Sequence, residues 1–289
     1  MTFSIVATDG EAFGIAVASR FLAVGSIVPQ ARPGVGAVAT QSLAKVSYRD
    51  DVIALLEAGE DAESAIAKVT STDELRGHRQ VGVVSPTSQA TYTGHECLPW
   101  AGGVSGGDES GRYAIQGNIL TGEQVIREME RAWLESVGMP LSRRLLAALL
   151  TGDAAGGDSR GRQAAAIQVV APGAGYDECG VLVDLRVDDH RQAPSELARI
   201  LDVHTLYFGQ PEDVQALEGD LAEEVAARLA VLGYTEELEV ALDNWAGVEN
   251  YEMRLVPGGI DGRVLKVLRA ATIGDWDPDL RQQRRLQEQ

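Results

Sequence analysis

Polar and apolar residues alternate at the start of the chain, over Thr2-Phe3-Ser4-Ile5. Residues 2–8 and 12–19 form two short runs rich in apolar residues, and Asp9-Gly10 between them is a strong signal for a tight turn. The pattern therefore predicts two strands that form a hairpin. Residues 34–41, "GVGAVATQ", predict a further strand.

The pattern then changes to a helical period. "RDDVIALLEAG", which ends at Gly59, and "DAESAIAKVTS", which begins near Asp61, carry apolar residues at spacings of three and four. Such spacing predicts two amphipathic helices. Strands are predicted next at "RQVGVVSP", "QATYTG" and "RYAIQGN", with a glycine-rich loop over 101–111. The remaining elements are helices over 122–137 and 141–151, strands at "RQAAAIQVV" and "GVLVDLRVDD", and a helix over about 195–203.

Strands and helices occur in groups rather than in strict alternation. This grouping predicts the α+β class, with mainly antiparallel sheets and helices outside them. The 289 residues exceed the usual length of one domain, and the composition changes near "HTLYFGQPED", where residues 211–232 predict one acidic helix. We expect a main domain over 1–209, a small and mainly helical domain over 210–280, and a frayed tail over 281–289.

The predicted hairpin gathers hydroxyl groups at one strand end. If Asp9 and Gly10 are the two central residues of the turn, Thr2 lies opposite Val17, with Ser19 one diagonal step away. Alternation gives each strand two faces, of which one carries Thr2, Ser4, Val17 and Ser19 and the other Phe3, Ile5, Ala16 and Ala18. The first face is the leading candidate site, and the second is suited to packing.

This opening hairpin, with Ser19-Arg20 directly beyond the partner strand, resembles that of N-terminal nucleophile (Ntn) hydrolases, including proteasome-type subunits. The resemblance implies that Met1 is removed, that the Thr2 hydroxyl attacks an amide carbonyl, and that the Thr2 α-amine accepts the proton. An α-amine titrates close to neutral pH and suits that task. The alternative is that Thr2 is an ordinary β-forming residue at a strand start.

The wider chain resembles one bacterial family of uncharacterised Ntn-hydrolase-like proteins over residues 1–209. The matching stretches are "MTFSIVA", "VGSIVPQARPGVGAVATQ", "TGHECLPWAG", "IQGNIL", "GGDSRGRQAAA" and "LVDLRVDDH". The resemblance implies an αββα four-layer sandwich. Farther on, "AARLAVLGY", "NWAGVENYE" and "GIDGRVLKVLRA" resemble a peptidoglycan-binding domain that recurs in this family. That likeness implies a peptidoglycan fragment or another partner, and the alternative is a helical packing module.

Other residues are candidates for the same site. Asn118 ends a predicted strand and carries an amide that can donate to a developing oxyanion, although it also suits a turn. Gln116, earlier on the strand, is expected to face the opposite side. The loop "GDAAGGDSRG" supplies Asp158 and Arg160, which either bind substrate or form a structural ion pair. Arg20 and Arg32 are candidates to bind a substrate carboxylate through bidentate contacts, and the alternative for both is a surface role.

Proteasome-type sites place an aspartate just after the second strand of the hairpin and a lysine on the next strand. In this chain Ser19-Arg20 occupies the position of the aspartate, and Arg32 or Gln41 occupies the position of the lysine. Gln41 is therefore a candidate substrate contact, and Arg32 is a second candidate for binding a carboxylate. The nearest lysine is Lys45. These departures keep open a second interpretation, a non-catalytic ligand-binding protein of the same fold with an interaction tail.

Composition excludes some classes of partner. The formal net charge of −18 disfavours nucleic acid and anionic membranes. Cys97 and Cys179 lie 82 positions apart, and no histidine pair has helical spacing, so we expect neither disulfide framework, metal nor cofactor. Without a signal peptide or a long apolar run, a cytoplasmic location is expected. The leading hypothesis is hydrolysis of a small-molecule amide; a homo-oligomer is left open.

Overall fold

A computed structural model describes residues 2–273 of the chain. Removal of Met1 and the predicted tail over 281–289 lie outside the described residues. The chain divides into two compact units, one that ends at Leu201 and one that begins at Asp202. Each unit has its own hydrophobic core.

The larger unit contains ten strands and the start of the fifth helix among its described residues. The strands are β1 (Thr2–Thr8), β2 (Phe13–Ser19), β3 (Pro29–Arg32), β4 (Gly36–Ser42), β5 (Arg79–Val84), β6 (Gln89–Thr93), β7 (Gly102–Asp108), β8 (Gly111–Asn118), β9 (Ala164–Val170) and β10 (Val181–Val187). The helices are α1 (Tyr48–Glu57), α2 (Ala62–Ser71), α3 (Gln124–Glu135), α4 (Leu141–Ala154) and α5 (Ala193–Phe208).

The strands form two antiparallel sheets. The larger sheet has the order β10-β9-β2-β1-β8-β7, so that β1 is a central strand between β2 and β8. The smaller sheet has the order β3-β4-β5-β6. Apolar side chains of both sheets share one core between them, including Val6, Ile15 and Val17 from the first and Ala37, Ala39 and Val84 from the second. The expected α+β class with mainly antiparallel sheets is confirmed.

Helices cover the outer face of each sheet. Phe3 and Ile5 of β1 pack into the same core as Trp133 of α3 and Leu145 of α4. On the smaller sheet, the outward residues of β4 and β5 share a core with α1 and α2. The apolar residues whose spacing of three and four predicted these helices form the stripe of side chains that the helices bury. Asp61 caps α2 by accepting a hydrogen bond from the Ser64 amide at 2.7 Å.

The register of the β1–β2 hairpin differs from the prediction by two residues. Val17 lies opposite Ser4 instead of Thr2, because four residues rather than two connect the strands. The Asp9 carboxylate accepts a hydrogen bond from the Ala12 amide at 2.9 Å and stabilises this longer turn. Because the shift is even, each face of the hairpin keeps its predicted residues.

Two other elements also differ from the predictions. Residues 101–111, predicted as a loop, contain strand β7, which pairs with β8 at the edge of the larger sheet. Residues 211–232, predicted as one helix, instead contain irregular chain and a two-residue strand (Gln215–Ala216) before the helix, which starts at Gly219. Strand β3 was not predicted.

The smaller unit is mainly helical. Its elements are β11 (Gln215–Ala216), α6 (Gly219–Val231), α7 (Leu238–Glu249), β12 (Gly259–Ile260) and α8 (Gly262–Ala271), and β11 pairs with β12. Trp245 and Tyr251 contribute to its core. A fully buried ion pair, with 2.9 Å between Arg254 Nη1 and Asp261 Oδ2, fixes the segment before α8.

Candidate functional site

Strand β1 begins at Thr2, and the pairing of its neighbours brings two further polar residues to this strand end. Thr2 pairs with Asn118 of β8. Phe3 pairs with Ala18, which places Thr2 beside Ser19 of β2. The Thr2 Oγ1 and Ser19 Oγ atoms are 3.2 Å apart, and Thr2 is 6% exposed. The two hydroxyl groups thus meet at one end of the larger sheet.

A buried glutamine of the smaller sheet holds the main chain of Thr2. The Gln41 Nε2 atom lies 3.2 Å from the Thr2 carbonyl oxygen, 3.2 Å from the Gln116 carbonyl oxygen and 2.8 Å from Gln80 Oε1. Gln41 Oε1 accepts a hydrogen bond from the Ser4 hydroxyl at 2.7 Å. Gln41 is 1% exposed, and its amide is committed to protein partners. These contacts favour a positioning role over the predicted contact with substrate.

Gln80 of β5 connects the two sheets at the same place. Its Nε2 atom donates to the carbonyl oxygens of Gly117 at 2.8 Å and Gly102 at 3.2 Å, and it lies 2.9 Å from Thr93 Oγ1. Its Oε1 atom accepts a hydrogen bond from Asn118 Nδ2 at 3.0 Å. Asn118 Nδ2 also lies 3.5 Å from the Thr2 carbonyl oxygen. The amides therefore link β1 and β8 to the facing sheet.

Gln116 faces the same network, so the expectation that it faces the opposite side was wrong. It lies two residues before Asn118, and strand alternation gives both residues one face. Its Nε2 atom donates to Ser4 Oγ at 2.6 Å, and its Oε1 atom accepts from Thr91 Oγ1 at 3.3 Å. Gly82 leaves room for this amide, because a Cβ atom at Gly82 would lie 2.0 Å from Gln116 Oε1.

We call this set the amide network; its members are Thr2, Ser4, Gln41, Gln80, Gln116 and Asn118. All are buried, and none of their side chains carries a charge at neutral pH. Because buried polar groups are costly unless they are hydrogen-bonded, a satisfied network of this kind fixes the geometry of the strand end.

The loop after α4 adds a buried carboxylate beside Ser19. Asp158 is 5% exposed and accepts hydrogen bonds from the Arg20 amide at 2.7 Å and the Arg160 amide at 2.9 Å. The Arg160 guanidinium approaches the same carboxylate at 3.2 Å. Arg20 Nη1 in turn donates to the Arg160 carbonyl oxygen at 2.7 Å. Asp158, Arg20 and Arg160 are therefore brought together, and their mutual contacts fit the structural alternative at least as well as substrate binding.

A charged cluster supports the loop that follows Gln41. Asp73 accepts hydrogen bonds from Tyr48 Oη at 2.7 Å and from Arg79 Nε at 2.8 Å. The hydrogen bond from Arg79 is the main reason why the pKa of Asp73 lies well below its usual range. Burial and the same carboxylate raise the pKa of Tyr48. Arg79 also donates to the Leu43 carbonyl oxygen, so this cluster anchors the loop to β5.

Other candidate residues lie in separate contacts. The Lys45 Nζ atom is 4.0 Å from Asp73 Oδ2 and lies over the Tyr48 ring. Arg32 forms an ion pair with Glu57 on the surface. Within residues 2–273, no group of three or more histidine, cysteine or acidic residues is arranged to hold a metal ion. In the same residues, no helix has the length and apolar character needed to cross a membrane.

The fold places this protein in a class of α+β chains with two packed antiparallel sheets and a separate helical unit. A family model described as "Family of unknown function (DUF1028)" matches residues 2–197, and the chain belongs to that family. A second model, described as "Putative peptidoglycan binding domain", matches residues 206–268, so the expected likeness of the smaller unit to such a domain is confirmed.

A solved structure resembles the chain. It is the crystal structure of protein SPO2555 from Silicibacter pomeroyi, also of the DUF1028 family, with 29% sequence identity and a TM-score of 0.62. The match covers 77% of this chain and 89% of that one. A search of curated proteins found no match.

Proposed function

We propose that the larger unit is an Ntn-type amidohydrolase that cleaves a small amide, such as a derivatised amino acid. The packing of α3 and α4 on one sheet and of α1 and α2 on the other supports an αββα arrangement of the Ntn kind. The observation that carries the proposal is Thr2 at the start of a central strand, with its hydroxyl 3.2 Å from Ser19 Oγ and its carbonyl held by Gln41.

The chemistry requires Thr2 to be the first residue of the mature chain. Thr2 Oγ1 attacks the amide carbonyl carbon, and the hydroxyl proton passes through the α-amine to the leaving nitrogen as the C–N bond breaks. This step leaves an ester between Thr2 and the acyl group. A water molecule, deprotonated by the same amine, then hydrolyses the ester and restores the hydroxyl.

Two neighbours are assigned roles in this reaction. Asn118 stabilises the oxyanion. Its 3.0 Å hydrogen bond to Gln80 keeps the side-chain amide oriented. Its longer contact, 3.5 Å to the Thr2 carbonyl oxygen, is the one that a substrate oxygen would replace. Ser19 Oγ orients the Thr2 hydroxyl. Gln41 positions Thr2 rather than contacting substrate.

The residues beyond Ser19 are assigned to substrate orientation. Asp158 fixes the main chain of Arg20 and Arg160 through their amides. The Arg20 side chain donates to the Arg160 carbonyl oxygen, so among the described residues its guanidinium charge has no carboxylate partner. Of these three residues, Arg20 is therefore the one that can receive an anionic part of the substrate.

The alternative is a non-catalytic ligand-binding protein with the same fold. It is favoured by the uncharged amide network, which offers no side chain that titrates near neutral pH. In this case the smaller unit, which matches a peptidoglycan-binding family model, is the interaction module. Purified peptidoglycan that retains the full chain but not a chain cut after Leu201 would support this role.

Intact-mass measurement followed by kinetics tests the enzyme proposal. We expect the mature chain to lack Met1, and Thr2→Ala to lower turnover of a small-amide panel by about a thousandfold or more. Thr2→Ser is expected to retain activity. Thr8→Ala, the same change at the other end of β1, is the control for effects on folding.

Two results would contradict the proposal. One is a purified, folded chain that keeps Met1, because the added residue blocks the amine. The other is unchanged turnover in Thr2→Ala, which would move the chemistry elsewhere. A wild-type chain that binds but does not hydrolyse any amide of the panel would favour the binding protein.

A further inference from the structure

A surface depression of about 330 Å³ lies at the end of β2, next to Ser19. It is lined by Arg20, Arg162, Gln163, Asp189, His190 and Arg191. Three guanidinium groups and one carboxylate give the lining a formal charge of about +2 with histidine neutral, from 3 − 1. The whole chain has a formal net charge of −18. A basic depression on a strongly acidic protein concentrates small anions locally.

Two of the three guanidinium groups are not neutralised by a carboxylate. Arg162 Nε lies 2.6 Å and 2.9 Å from the two oxygens of Asp153, so its charge is compensated. Arg20 donates to a neutral carbonyl oxygen of Arg160. Arg191 forms no hydrogen bond or ion pair with any residue of the described range 2–273. Arg20 and Arg191 are therefore available to a ligand.

His190 adds a donor to the same lining. Its Nδ1 atom accepts a hydrogen bond from the Gln192 amide at 3.1 Å, so that in the neutral ring the proton is on Nε2. Helix α5 begins at Ala193, directly after this segment, and its 16 residues contribute the positive end of a helix dipole. Both features favour an anion over a cation.

Hydrogen bonds connect this depression to the candidate nucleophile. The Gln163 amide donates to the Ser19 carbonyl oxygen at 3.1 Å, and the His190 amide donates to the Gln163 carbonyl oxygen at 2.7 Å. Arg20 follows Ser19 directly, and Ser19 Oγ is 3.2 Å from Thr2 Oγ1. The lining and the Thr2 hydroxyl therefore flank the same end of β2.

We propose that this depression is the carboxylate subsite of the Thr2 site and that the substrate is an N-acyl amino acid with a free α-carboxylate. The inference rests on the proposed amidohydrolase function. In such a substrate the carboxylate is two bonds from the scissile nitrogen, so the subsite has to adjoin the nucleophile, and Arg20 connects the two because it directly follows Ser19, the partner of Thr2. A guanidinium pair matches a planar carboxylate through charge-assisted hydrogen bonds.

The test uses the full chain with N-acetyl-L-alanine and its uncharged carboxamide, N-acetyl-L-alaninamide. Binding is measured by calorimetry in a Thr2→Ala background, which removes the proposed nucleophile. We expect the acid to bind about tenfold more tightly than the carboxamide, since a hydrogen bond to a charged group is the stronger kind. Arg191→Gln is expected to remove most of this preference. Arg186→Gln, an arginine of β10 outside the lining, is the control.

The outcomes separate this inference from the proposed function. Equal binding of acid and carboxamide, no saturable binding of the acid, or an unchanged preference in Arg191→Gln overturns the subsite. Preference for the acid that Arg191→Gln abolishes supports it, whether or not the wild-type chain hydrolyses either compound. Hydrolysis of both compounds at equal rates by the wild type would keep the amidohydrolase and overturn the subsite.

Discussion

The contact between Gly82 and Gln116 provides a direct test of the amide network. A Cβ atom at Gly82 would lie 2.0 Å from Gln116 Oε1 and 2.5 Å from Nε2, so Gly82→Ala must displace the Gln116 amide. Displacement breaks the 2.6 Å bond to Ser4 and the 3.3 Å bond from Thr91. Each buried group left without its partner costs about 1–3 kcal/mol, so we expect a loss of about 2–5 kcal/mol in the free energy of unfolding of the larger unit.

A double-mutant cycle tests whether the loss of stability in Gly82→Ala comes from displacement of the Gln116 amide. In a Gln116→Ala background the amide is already absent, and Gly82→Ala is expected to cost less than about 1 kcal/mol. Hydrogen exchange of β1 and β8 amides, together with urea unfolding followed by fluorescence, reports on the larger unit. Equal penalties in the two backgrounds would refute the reasoning, because the cost would then arise from the backbone of β5 and not from the network.

Two further predictions concern charged groups. The pKa of Asp73 is lowered in the folded state, chiefly by Arg79. The contribution of this carboxylate to stability is therefore present above its unfolded pKa and is lost as pH falls toward the folded pKa. We expect the stability advantage of wild type over Asp73→Asn, measured by urea unfolding, to shrink between pH 6 and the acid range below about pH 4. In the smaller unit, Arg254→Leu leaves Asp261 buried without its cation. We expect this change to lower the free energy of unfolding by about 3–5 kcal/mol, measured by hydrogen exchange in α8. Arg263→Leu, at an exposed ion pair, is the control and should change the same free energy by less than about 1 kcal/mol.

Much of the larger unit could be predicted from its periodic patterns. The helices α1 to α4 and most strands follow stripes of apolar residues, because these stripes are the surfaces that the sheets and helices bury. The two faces of the first hairpin were predicted correctly, although the turn contains four residues instead of the predicted two. A register error of two residues preserves side-chain alternation, so Thr2 and Ser19 still share a face.

The errors have physical reasons. Strand β7 is rich in glycine, and its extended form depends on pairing with β8, which no local pattern reports. The role of Gln116 follows from strand alternation relative to Asn118, so the sequence did contain that signal. Gln80 was missed because its partners come from the facing sheet, and only the packing of two sheets brings them within hydrogen-bonding distance.

The central position of β1 has a consequence for biosynthesis. Its partner β8 is made more than a hundred residues later, since Thr2 and Asn118 are separated by 116 positions. During translation this fully buried strand can pair only with β2, and its other edge stays unpaired until β8 leaves the ribosome. Such long-range pairing slows folding and exposes an apolar edge. Yield in a heterologous host should therefore depend on translation rate and chaperone supply more than on the final stability of the sheet.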